Sequence, residues 1–121
     1  MRKKILILDD DKDILEILCL ILMDEYEIKP LNCGDRVFEE IKEFDPDLIL
    51  MDVQLGDMDG MTICKDIKEN ILTSSIPVVL ISATHDLEQS LELPGAPNDY
   101  LAKPFDIDHL LSKVEKHLML V

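Results

Sequence analysis

Short apolar segments alternate with amphipathic ones along the whole chain. Five segments rich in apolar or β-branched residues predict strands, at residues 4–8, 27–31, 48–51, 76–81 and 99–102. Between and after them, apolar residues recur at the three- and four-residue spacing that is typical of helices with one buried face. The pattern therefore predicts an α/β protein.

Five helices are expected between and after these strands. Asp11 or Asp13 can cap the first, the third begins near Gly60, a short fourth covers residues 85–93, and Asp106 precedes the last. The apolar faces of the four longer helices are Ile14, Ile17, Leu18, Ile21 and Leu22, then Val37, Phe38, Ile41 and Phe44, then Ile63, Cys64, Ile67 and Ile71, and finally Ile107, Leu110, Leu111, Val114 and Leu118. Strands that alternate with helices pair in parallel through right-handed crossovers, so we expect a doubly wound sheet with helices on both faces.

Composition favours one globular domain over residues 1–121. The chain is 47% hydrophobic and 31% charged, which allows one core and a solvated surface. Its formal net charge of −14 repels phosphate backbones and anionic lipids, and so predicts no direct nucleic-acid partner and no membrane partner. Cys19, Cys33 and Cys64 lack metal-ligand spacing and predict reduced thiols in a cytoplasmic protein.

Polar side chains follow four of the predicted strands at the point where each strand ends. Asp9 and Asp10 follow the first strand, Asp52 the third, Ser82 the fourth and Lys103 the fifth. Open α/β sheets bind ligands beyond the carboxyl ends of their strands. We therefore expect these side chains to converge on one pocket.

This pocket has the chemistry of a phosphorylation site. Three carboxylates raise one another's pKa values unless a cation stabilises their ionised forms. Oxygen ligands without cysteine or histidine favour a hard ion, and few ligands with room for water favour Mg²⁺ over Ca²⁺. Lys103 and Ser82 can hold the oxygens of a phosphoryl group carried on a carboxylate. The residues therefore predict Mg²⁺-dependent phosphoryl transfer to an aspartate.

Five motifs in chain order resemble the receiver domains of two-component response regulators. They are Asp9-Asp10, Leu50-Met51-Asp52, Asp59-Gly60, Ser82-Ala83 and Asp99-Tyr100-Leu101-Ala102-Lys103-Pro104-Phe105. The resemblance covers essentially the whole chain. It implies a flavodoxin-like fold with strand order 2-1-3-4-5, and a phosphorylation-dependent signalling switch, not an enzyme.

The resemblance also implies a role for each acid of the site. Asp52 would accept the phosphoryl group from a histidine kinase or a histidine phosphotransfer protein. Asp9, Asp10, Asp52 and the backbone carbonyl of Gln54 would hold Mg²⁺.

Three further residues receive roles by the same resemblance. Lys103 would pair with the phosphoryl oxygens and precede a cis bond to Pro104. Ser82 and Tyr100 would form the switch, in which Tyr100 turns inward when Ser82 bonds the phosphoryl group. The altered surface would be read by a downstream protein target or an output domain.

Simpler explanations stay open. Asp9 and Asp10 could merely cap the first helix, Ser82 could satisfy backbone groups, and Tyr100 could be an ordinary strand aromatic. As a whole, the chain could be a degenerate receiver that acts only as an interaction module. It could also be a phosphohydrolase with an aspartyl nucleophile, although such enzymes usually carry a second acid where Gln54 stands.

The histidines and two departures from the receiver pattern complete the expectations. His109 and His117 are expected to be exposed on the last helix, and His85 to lie in a surface loop. Gly56 occupies the place of a usual proline, which should loosen the loop after Asp52 and weaken metal binding. Residues 95–100 form a segment one residue longer than usual, so residues 87–97 should be mobile without phosphate.

Overall fold

A five-stranded parallel sheet with helices on both faces forms the molecule, in a computed structural model that describes residues 2–83 and 95–119. In chain order the elements are β1 (Lys4–Leu8), α1 (Lys12–Leu22), β2 (Glu27–Leu31), α2 (Val37–Phe44), β3 (Leu48–Asp52), β4 (Gln54–Leu55), β5 (Met58–Asp59), α3 (Gly60–Glu69), β6 (Val78–Ser82), β7 (Asp99–Ala102) and α4 (Ile107–Leu118). Within these ranges no helix has the length and apolarity needed to cross a bilayer.

The order of the main sheet is β2-β1-β3-β6-β7, and all of its pairs are parallel. Because β4 and β5 form a separate antiparallel hairpin, this is the predicted order 2-1-3-4-5. The hairpin itself was not predicted. The helix expected at 85–93, with His85, lies outside the described residues, and the mobility expected for residues 87–97 stays a prediction.

Alternating residues of each central strand enter two separate cores. Ile5 and Ile7 of β1 face the core formed with α1 and α4, whereas Leu6 and Leu8 face the core formed with α2 and α3. The same alternation holds in β3 and β6. Strands buried on both faces have no polar side, which explains why their sequences are continuous apolar runs.

Aspartates begin three of the four described helices. Asp11 Oδ1 accepts hydrogen bonds from the backbone N–H groups of Asp13 and Ile14, so Asp11 caps α1. Asp59 and Asp106 cap α3 and α4 in the same way. Since Asp11 already caps α1, helix capping does not account for Asp9 and Asp10.

Periodicity found most of the residues that the helices bury, but it also assigned exposed residues to the buried faces. Ile17 is 50%, Phe38 39% and Ile107 52% exposed, so these three assignments are wrong. Ile63, Cys64 and Ile67 are buried as predicted, but α3 ends at Glu69 and Ile71 is 90% exposed. The prediction that Ile71 belongs to the helix face is therefore wrong. The side chain of Asn70 accepts a hydrogen bond from the N–H of Leu72, and this turn ends the helix.

Candidate functional site

Strand register brings the predicted site residues into one row. The pair Leu8–Met51 sets Asp9 beside Asp52, and the pair Asp52–Ile81 sets Ser82 one residue beyond. Ser82 pairs in turn with Ala102, which precedes Lys103. Parallel strands end at the same edge, and here that edge is polar.

Asp52 and Lys103 form the closest ion pair of this row. Lys103 Nζ lies 2.6 Å from Asp52 Oδ2, and Asp52 is only 6% exposed. The other oxygen, Oδ1, accepts a hydrogen bond of 3.0 Å from the N–H of Gln54. Burial by itself would lower the pKa of Lys103, but the hydrogen bond and negative charge of Asp52 outweigh it and raise that pKa. Lys103 therefore keeps its positive charge beside Asp52, the candidate acceptor of the phosphoryl group.

Asp9 is fully buried and has one oxygen without a hydrogen bond. Its Oδ1 accepts a hydrogen bond from the N–H of Asp11 at 2.9 Å. Its Oδ2 has no hydrogen-bond partner among the described residues and lies 3.7 Å from Lys103 Nζ. Burial, together with the charge of Asp52, raises the pKa of Asp9 to about 6. A buried carboxylate oxygen of this kind costs free energy unless a cation or a proton occupies it.

The three carboxylates form a group suited to a metal ion. Asp9, Asp10 and Asp52 each offer a ligand oxygen, and these oxygens all lie within 4.8 Å of one another. Asp10 is exposed, and its Oδ2 accepts a hydrogen bond from the N–H of Gly56 at 3.1 Å. Carboxylate oxygens of this kind suit a hard divalent ion such as Mg²⁺. The unpartnered oxygen of Asp9 fits the same ion.

The remaining predicted site residues lie beside this group. Ser82 is buried at the end of β6, and Gln54 begins the hairpin with an exposed side chain. Tyr100 is half-buried, and the ammonium group of Lys113 lies 5.6 Å from the centre of its ring. The bond between Lys103 and Pro104 is cis, as the resemblance implied.

Gly60 holds α3 tightly against the end of β3. A Cβ atom at Gly60 would lie 2.3 Å from the carbonyl oxygen of Asp52 and 2.9 Å from Cα of Val53. The N–H of Gly60 donates a hydrogen bond of 2.7 Å to the Val53 carbonyl. The glycine of the Asp59-Gly60 motif is thus required by close approach of the backbone to the site.

A second buried charged group was missed by the sequence reasoning. Asp99 Oδ1 lies 2.7 Å from Lys113 Nζ, and Asp99 Oδ2 lies 3.0 Å from His117 Nε2. His117 is only 8% exposed, so the prediction that it is exposed is wrong. Lys113 and His117 are four residues apart on α4, a spacing that directs both side chains to one side of the helix. This spacing of two basic residues, together with an aspartate at the start of the preceding strand, was the sequence signal that could have predicted the group.

Three comparisons with known proteins agree on the class of this chain. Residues 5–115 match the model of the response regulator receiver domain. The DNA-binding response regulator MtrA of Mycolicibacterium paratuberculosis is 31% identical over 98% of this chain and 52% of its own length. The DNA-binding dual master transcriptional regulator RpaA of Synechocystis is 31% identical over 92% of this chain and 47% of its own length. The crystal structure of response regulator DrrB from Thermotoga maritima superposes with a TM-score of 0.84 at 31% identity, over 98% of this chain and 53% of that one.

The relatives also correct one expectation. The chain spans about half the length of the curated relatives it matches, and MtrA and RpaA carry DNA binding in their names. The prediction of no direct nucleic-acid partner is therefore wrong. Net charge describes the electrostatics of these 121 residues alone and carries no information about a DNA-binding segment elsewhere in a longer protein.

Proposed function

The chain belongs to the family of response-regulator receiver domains, and from that membership we propose that Asp52 accepts the phosphoryl group in a Mg²⁺-dependent reaction. The observation that carries this proposal is the contact of 2.6 Å between Lys103 Nζ and Asp52 Oδ2, beside two further aspartates. The ammonium group of Lys103 and a cation at this site would neutralise the negative charge of the phosphoryl oxygens while the carboxylate of Asp52 attacks phosphorus.

Asp9, Asp10, Asp52 and the backbone carbonyl of Gln54 would hold the ion. The proximity of the three carboxylates and the unpartnered oxygen of Asp9 support this set. When bound, Mg²⁺ would offset the negative charge of the carboxylates and of the incoming phosphoryl group.

The residues of the chain would act together in one transfer step. An oxygen of Asp52 forms a bond to phosphorus as the bond from phosphorus to the phosphohistidine nitrogen of a partner breaks, and the imidazole takes the electron pair. Lys103 stays protonated and pairs with a phosphoryl oxygen. Such a transfer depends on positioning and charge, and this site offers both.

Ser82 and Tyr100 would transmit phosphorylation of Asp52 to the protein surface. Ser82 ends the strand between β3 and β7, next to the acceptor, and its hydroxyl would bond a phosphoryl oxygen. Tyr100 lies two strands from Asp52 and is half-buried, so an inward turn would alter the face that it shares with Lys113. A protein target or an output region would read that change.

The product of the reaction is a phosphorylated signalling domain, and so we propose no turnover of an external substrate. Neither an interaction module that has lost the site nor a phosphohydrolase gains support from a specific contact. The three free cysteines, Cys19, Cys33 and Cys64, support a reducing, cytoplasmic setting.

Intact mass after incubation with a small phosphodonor tests the proposal. With Mg²⁺, the protein should gain the mass of one phosphoryl group, and this gain should be absent without Mg²⁺ and in Asp52→Asn. Asp57→Asn removes an exposed acid of the neighbouring hairpin turn and is the matched control, because it should leave the gain intact. A folded protein that gains no mass, or an Asp52→Asn variant that still gains it, would refute the assignment.

A further inference from the structure

A hydrogen bond across the chain ties the β4–β5 hairpin to the site. The backbone N–H of Gly56, in the turn between the two strands, donates to Oδ2 of Asp10 at 3.1 Å, although the two residues are 46 positions apart. From the sequence, this glycine is expected to loosen the loop, and that stays a prediction.

The hairpin holds this N–H group in a fixed place. Gln54 pairs with Asp59 and Leu55 with Met58, and Leu55 is only 2% exposed in the core. The N–H of Gly60 bonds the carbonyl of Val53 and closes the base of the hairpin. The donor is therefore part of a paired, anchored unit.

Backbone conformation makes residue 56 special. Gly56 has φ of +63°, and a Cβ atom there would meet nothing within 4 Å. Residue 56 must therefore adopt a left-handed conformation and provide an N–H group, but a side chain at this position would meet no steric conflict. Proline provides neither, since its ring fixes φ near −65° and removes the donor.

All three site carboxylates use one oxygen for a backbone N–H group. Asp9 and Asp52 receive theirs from residues two positions later, Asp11 and Gln54, so their orientation is set locally. Asp10 is exposed, and its Oδ2 receives a hydrogen bond from Gly56, 46 positions later. Its orientation therefore depends on a distant segment of the chain, and its Oδ1 is left for other ligands.

We propose that the N–H group of Gly56 is a positioning group that orients Asp10 for Mg²⁺. This rests on the proposed function, because it presumes that Asp10 is a ligand. A group that donates a hydrogen bond to a metal-ligating side chain fixes the orientation of that side chain. Loss of such a group typically weakens metal binding by about 10- to 100-fold. The glycine that replaces proline is then a part of the metal site, with an effect opposite to the loosening expected from the sequence.

Titration of the purified protein with Mg²⁺ alone, followed by calorimetry, tests this role. Gly56→Pro should weaken Mg²⁺ binding by about 10-fold or more. Gly56→Asn is the matched control: asparagine retains the N–H group and tolerates positive φ, so its affinity should stay within about twofold of the parent. Equal weakening in the two variants would overturn the proposal, since the conformation of the turn and not its donor would then matter.

Two further measurements separate the possible failures. Replacing the peptide N–H of residue 56 by an ester oxygen, through chemical ligation, removes the donor alone and decides the matter if Gly56→Pro fails to fold. An ester protein that binds Mg²⁺ as tightly as the parent overturns the positioning role. A parent protein that binds no Mg²⁺ refutes the metal site itself, and phosphorylation of Asp52 is then judged separately by intact mass.

Discussion

The buried group around Asp99 offers a quantitative test of the charges in this fold. Burial by itself would raise the pKa of Asp99, but hydrogen bonds from Lys113 and His117 and the charge of Lys113 outweigh it, and the pKa falls from 3.8 to about 2. A pKa that is lower in the folded than in the unfolded state means that ionised Asp99 stabilises the fold.

The size and pH window of this contribution follow from the shift. The difference between 3.8 and about 2 corresponds to roughly 2 kcal/mol of unfolding free energy, present in full above about pH 5. The contribution is lost as the pH falls from the unfolded pKa towards the folded one. At pH 3 roughly 1 kcal/mol of it should be gone.

Asp99→Asn isolates this term from the other acids of the chain. Urea unfolding followed by far-ultraviolet circular dichroism gives the free energy of unfolding of parent and variant at pH 7 and pH 3. The variant should be less stable at pH 7 by about 2 kcal/mol, and the gap should narrow by roughly 1 kcal/mol at pH 3. Asp57→Asn, at an exposed position, should show a gap near zero at both pH values. A gap for Asp99→Asn that stays constant or widens at pH 3 would contradict the reasoning.

Four further substitutions test other parts of the structure. Gly60→Ala should lower the free energy of unfolding by about 1–3 kcal/mol in urea, because its Cβ would meet the Asp52 carbonyl at 2.3 Å; an unchanged midpoint would argue against this contact. Lys103→Met removes the ammonium group beside the acids, so Mg²⁺ should raise its melting temperature more than that of the parent; an equal or smaller rise would contradict the pairing. Ile67→Ala should lower the free energy of unfolding by about 2–5 kcal/mol and Ile71→Ala by less than about 0.5 kcal/mol, and similar losses in the two variants would contradict the difference in burial.

The sheet was predictable because its signals are local. β1 and β2 have the predicted bounds, since each is a short run bordered by polar residues. Asp52, Ser82 and Lys103 could be assigned to one edge because parallel strands end together. That argument needs only the positions at which apolar runs stop.

Other features depend on contacts that a linear pattern does not contain. The burial of His117 follows from the packing of α4 on β7, which sets it against Asp99. The end of α3 at Glu69 follows from the turn at Asn70, and the periodicity of apolar residues continued past it to Ile71. The hydrogen bond between Gly56 and Asp10 joins segments 46 residues apart. A glycine by itself indicates a flexible backbone, and the sequence gives no sign of this distant contact.

The strand order has a consequence for the chain as it is synthesised. β1 lies between β2 and β3, so the first strand of this sheet to be synthesised gains its second neighbour only after the third strand has followed. Asp9 and Asp52 can meet at that stage, but Lys103, whose ammonium group contacts both, is synthesised only after the last strand of the sheet. A nascent chain that stops before β7 would carry an acidic corner without this counter-charge and an open edge on β6, which is the kind of strand edge that pairs with other chains.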